Sequence, residues 1–149
     1  MNIVKFSLAG LIGAMVMLGI SNTVYAEESN TDEIIYINGG VGSEEASEVH
    51  AKAHDYNLRL YLSEGKLGHL ISDALVSITD KKGDIKLNID NGGPMLFLQM
   101  KKGTYKISAQ HNGVTLTKSV TVINHRGENV YLNWKNPAVD AEDEQLKEQ

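Results

Sequence analysis

Residues 99–116 read QMKKGTYKISAQHNGVTL. Two alternating runs meet at His111-Asn112-Gly113-Val114, and the first is entered through Lys101-Lys102-Gly103. Asn-Gly between alternating runs is the signature of a two-residue hairpin turn, which needs positive φ at both central residues. Tyr105, Ile107 and Ala109 share one face of the first run. Val114, Leu116, Val120 and Val122 share one face of the second, with Lys118 interrupting. Successive side chains of a strand point to opposite faces, so the pattern predicts two half-buried antiparallel strands.

The same period of two extends along the chain. Residues 57–64 carry Leu58, Leu60 and Leu62 on one parity, and residues 73–80 carry Ala74, Val76 and Ile78. Residues 84–90 alternate Ile85, Leu87 and Ile89 with polar neighbours, and residues 129–134 offer Val130, Leu132 and Trp134. The run PMLFLQM (94–100) is apolar on both faces and so needs cover on each. Seven such strands, punctuated by Gly or Asn-Gly, predict an all-β sandwich over 57–135.

One short helix is expected ahead of it, over 43–56. Ser43 is positioned as the N-cap, and Glu44 and Glu45 face the dipole in the first turn. Ala46, Val49, Ala53 and Tyr56 form a narrow apolar stripe, a suitable lid for Met95 and Phe97. Residues 27–42 read as a flexible N-terminal segment in which IIYI (34–37) is a short edge strand. Residues 136–149 are acidic, with too little apolar content to pack, and read as a disordered tail or at most a frayed helix.

The 149 residues carry a net charge of −5, with 42% hydrophobic and 6% aromatic content. That suffices for one core, and the absence of a basic excess argues against a nucleic-acid partner. Residues 1–26 read as a signal peptide: Lys5, an uncharged apolar run over 6–20, and Val24-Tyr25-Ala26 before an expected cleavage. The exported part then has no run of membrane length, so a periplasmic or secreted protein is expected, with no stable membrane span after cleavage. It also has no cysteine, so its core must hold by burial alone.

Val76, Ile78, Asp80 and Gly83, then Met100, Gly103, Tyr105 and Gly113, then Val120 and Val122 form a pattern of core and turn residues. It resembles the carboxypeptidase-regulatory-like domain, over roughly residues 57–134. The head of the chain is also similar to small exported proteobacterial proteins of unknown function that carry this domain alone. The resemblance implies a transthyretin-like (prealbumin-like) Greek-key sandwich of about seven strands, in a domain that lacks catalytic residues in the carboxypeptidases. Elsewhere the domain is adhesive or contacts carbohydrate. One transthyretin-like relative is a hydrolase, but its C-terminal Tyr-Arg-Gly-Ser is not matched by the Lys-Glu-Gln here.

Enzyme motifs are sparse. No serine sits in a Gly-x-Ser-x-Gly elbow, no thiol is present, and GGVGSEE (39–45) lacks the spacing of a phosphate loop. His50 and His54 stand at metal-binding spacing on a helix but have no third ligand nearby. Alternate loops of an antiparallel sandwich share an end, so Lys81, Lys82, Lys101, Lys102, His125 and Arg126 should gather at one pole. Anionic lipid, lipopolysaccharide phosphate or an acidic partner would suit that pole. Glu64, His69, His111 and Asn112 should gather at the other. These features predict a non-catalytic exported binding module without a cofactor, contacting an unknown protein or an envelope glycan through loops or an edge strand. The alternatives are a small transthyretin-like hydrolase, if His69 and His111 meet beside a carboxylate, and a metal-handling protein using His50 and His54.

Overall fold

The computed structural model describes residues 33–123 and 126–148. The expected signal peptide (1–26) and His125 lie outside them. The elements are β1 (Ile35–Gly39), α1 (Ser43–Ala51), a 3-10 turn (Ala53–Asp55), β2 (Leu58–Glu64), β3 (His69–Leu70), β4 (Ala74–Asp80) and β5 (Ile85–Gly92). They continue with β6 (Met95–Gln99), β7 (Gly103–His111), β8 (Val114–Val122), β9 (Glu128–Trp134) and α2 (Pro137–Lys147).

The strands form two sheets. One runs β5-β4-β7-β8, antiparallel throughout. In the other, β1 pairs with β6 and β6 with β2, both antiparallel. β9 lies parallel to β2 along its whole length, from Leu58↔Glu128 to Glu64↔Trp134. β6 and β3 therefore share the opposite edge of β2 in turn. All seven strands expected from the alternation form, within two residues of their expected ends. The hairpin after β7 has Asn112 at φ 48 and Gly113 at φ 76, the double positive φ that Asn-Gly was read to supply.

The inner faces interdigitate around Leu58, Leu60, Leu62, Ile78, Leu96, Leu98 and Ile107, all fully buried. Each such side chain contributes about 1.5–3 kcal/mol by leaving water. The flanking strands of the second sheet are buried less than their alternation suggested. Ile85 and Val114 are exposed, because both lie on β5 and β8, the edge strands of this sheet.

The two-faced β6 has its cover. Met95 and Phe97 point away from the sandwich core and pack under Val49 of α1, with Ala46, Ala53 and Tyr56 alongside. The helix itself is shorter than expected. It stops at Ala51, and the 3-10 turn completes the segment. Its N-cap is Gly42 rather than Ser43, and Glu45 Oε2 accepts the Val41 N–H at 2.9 Å.

The edge strand expected at 34–37 forms: residues 35–39 add β1 to the edge of β6. One further reading is corrected. The acidic tail is not disordered but forms α2, with no buried residue. Polar contacts hold it instead. Asn136 caps it by accepting the Val139 N–H, Pro137 opens it, and Asp140 Oδ1 accepts the Lys66 N–H at 2.6 Å. Lys66 Nζ reaches Glu144 at 3.2 Å, and His69 Nε2 lies 2.9 Å from Asp143. Local capping and ion pairs thus do the work that the missing apolar stripe could not. Among the described residues no helix is long and apolar enough to cross a membrane.

Candidate functional site

Strand direction sets two ends. β4 ends, β5 and β7 begin, and β8 ends on one side. There stand Lys81, Lys82, Lys101, Lys102 and Arg126, as the loop alternation predicted. Acids interleave with them. Asp80 accepts the Lys82 and Asp84 N–H groups and pairs with Lys86 at 3.1 Å, and Arg126 lies 3.9 Å from Glu128. Desolvation pushes the Asp80 carboxyl up. The Lys86 ammonium and the two N–H groups outweigh it and hold the group below its ordinary 3.8.

The opposite end holds His69 and His111, each with its own carboxylates. His69 turns to Asp143 of α2. His111 is buried at 8% exposure, edge-on to Trp134 at 5.6 Å. Its Nε2 lies 3.3 Å from Glu64 Oε2 and 3.0 Å from Asn112 Nδ2. Its Nδ1 lies 2.8 Å from Asp73 Oδ1 without forming a hydrogen bond to it. Asn136 Nδ2 donates to the same Glu64 oxygen at 2.8 Å. A pocket of about 240 Å³ opens here between Glu64, His111, Asn112, Trp134 and Asn136.

The histidines at metal-binding spacing are not brought together by a helix. His50 stays on α1, with its ring 6.0 Å from that of Tyr61. His54 falls in the 3-10 turn and faces Asp55 at 3.1 Å. Among the described residues no three His, Cys, Asp or Glu side chains gather as a metal site.

The outer face of β2 and β9 carries a further group of side chains. In register across the parallel pair stand Arg59 with Asn129, Tyr61 with Tyr131, and Ser63 with Asn133. The two tyrosine rings stack at 4.9 Å and 14°. Tyr61 also meets Phe97 edge-on at 5.4 Å, so the stack is anchored in the cluster under α1. Burial raises the Tyr61 phenol above 10.0, Tyr131 adds to this, and Arg59 opposes it. Tyr61 is therefore neutral at ordinary pH. Tyr131 is 63% exposed on an edge strand that, among the described residues, pairs only with β2, so its second ring face is open. Asn129 Oδ1 accepts from Arg59, and Asn133 Nδ2 donates to Ser63 and Gly65. These bonds orient both amides beside the ring. The sequence signal was present in the off-parity residues of 57–64 and 129–134, but only the parallel pairing joins them.

No family model and no curated protein matches the sequence.

Proposed function

We propose that this chain is a non-catalytic exported binding module of transthyretin-like Greek-key fold, working in the periplasm on a protein or an envelope glycan. One observation carries the reading: the open ring face of Tyr131, braced by Tyr61 and flanked by oriented amides on an edge strand. An amphipathic ring held rigid offers contact area at small entropic cost. Edge strands are natural pairing surfaces.

The fold reading is supported by where the quoted pattern falls. Asp80 and Gly83 form the β4–β5 turn, Gly103 lies against the Tyr105 ring, the Tyr105 hydroxyl donates to Lys101 O at 2.8 Å, and Val122 is fully buried. The chain also passes back and forth between the sheets before β9 returns beside β2, as Greek-key connections do. Retention on an isolated envelope fraction tests the function. Tyr131→Ala is expected to weaken retention about tenfold while the melting temperature stays nearly unchanged, since the ring is exposed. Unaltered retention would sink the reading.

A second reading, a small hydrolase, is favoured by His111, which has a carboxylate at each ring nitrogen and a pocket beside it. An imidazole oriented by one carboxylate serves as a general base once its other nitrogen is released to the substrate. Turnover of a simple activated ester that His111→Ala abolishes is the expected result on that reading. Equal background rates with both proteins would end it.

A further inference from the structure

Arg59 leads to a second site, next to Tyr131 on the outer face of β2 and β9. Its Nε donates to Asn129 Oδ1 at 2.7 Å, and its Nη1 donates to Ala53 O at 2.9 Å and Tyr56 O at 3.3 Å. All three acceptors are neutral, so the guanidinium is fixed in place without a counter-charge. Among the described residues it makes no ion pair. Its Nη2 is left over and lies against Gly127, where any Cβ would collide with the guanidinium.

A pocket of about 300 Å³ opens at this point, walled by Arg59, His54, Asp55, Asn57, Gln99 and Gly127. Asp55 is its one carboxylate and faces His54. Asn57 is spent on the backbone of Met100, donating to its carbonyl and accepting its N–H, which braces the wall. Two residues beyond Gln99 comes Lys101, followed by Lys102, and Arg126 precedes Gly127. The pocket therefore opens at the lysine-bearing end.

We propose that this pocket binds a phosphoryl group, whose oxygens meet the Arg59 Nη2 donors while Lys101, Lys102 and Arg126 supply the surrounding positive field. A planar guanidinium held by neutral acceptors suits a tetrahedral oxyanion, because binding then supplies the missing counter-charge and costs no reorientation. Cations on the chain segments that flank the pocket favour a doubly charged phosphate monoester over a carboxylate. Soluble phosphate esters and lipid headgroups share this chemistry.

The test is amide and guanidinium NMR of the full chain titrated with inorganic phosphate. The Arg59 Nε–H and Gly127 signals are expected to move together, and affinity to fall as salt is raised. Arg59→Gln is expected to weaken binding about tenfold or more. Because Arg59 also braces Ala53 and Tyr56, the paired change Lys101→Ala, Lys102→Ala serves as a second variant. It spares the brace and is expected to weaken binding severalfold. Phosphatidylcholine vesicles with and without phosphatidic acid separate the sources. Capture only by the phosphatidic acid vesicles assigns a headgroup, and phosphate binding without capture assigns a soluble ester. Absence of both overturns the proposal. Shifts confined to the Glu64–His111 end, or a folded Arg59→Gln that binds as wild type, overturn it equally.

Discussion

Phe97→Ala is expected to lower the unfolding free energy by about 3–5 kcal/mol. The side chain is fully buried, yet it lies outside the main core, between β6 and α1. Its ring meets Tyr61 edge-on and Tyr56 at 6.3 Å, so truncation removes two aromatic contacts as well as apolar area. The cavity cannot close easily, because α1 offers only Val49 as a buried residue. Urea unfolding at an unchanged m-value measures the loss. Hydrogen exchange should show α1 opening well before the sandwich. A loss below about 1.5 kcal/mol would mean that α1 is not held through Phe97.

The second large effect is at Trp134, the last residue of β9. It is 3% exposed, its Nε1–H donates to Val114 O at 2.8 Å, and it backs the His111 ring. That bond ties β9 of one sheet to β8 of the other. Trp134→Ala is expected to cost about 3–5 kcal/mol and to loosen the pocket around His111. Trp134→Phe keeps most of the volume and leaves the Val114 carbonyl unmatched, so about 1–2 kcal/mol is expected. Chemical denaturation of the pair separates packing from hydrogen bonding. Equal losses would show that the bond, not the volume, is what Trp134 supplies.

The sandwich strands were legible because burial on one face imposes a period of two, and Leu58, Leu60 and Leu62 or Tyr105, Ile107 and Ala109 display it without interruption. The tail was not legible by that criterion. α2 buries nothing, and its partners Lys66 and His69 lie some seventy positions away. Its local signals were present: Asn136 followed by Pro137 is a cap and a first helical residue. The two ends of the sandwich followed from loop alternation. Asp73 and Trp134 beside His111 did not, because they reach its ring only through tertiary structure. Arg59 was hidden for a simpler reason. An outward-facing arginine in an alternating strand reads as solubilising charge until its acceptors are seen to be neutral.

The parallel pairing of β2 with β9 has a kinetic consequence. β2 zips onto a partner seventy residues later along its full length, so the native contact order is high and the sheet cannot be finished by local steps. A chain that has emerged only as far as β8 exposes one whole edge of β2, including its backbone donors and acceptors. Such intermediates fold slowly and invite association with other strands. Closure of the sheet therefore waits for nearly the whole sequence, and shortened forms ending before residue 128 should collect as aggregates instead of as a smaller stable domain.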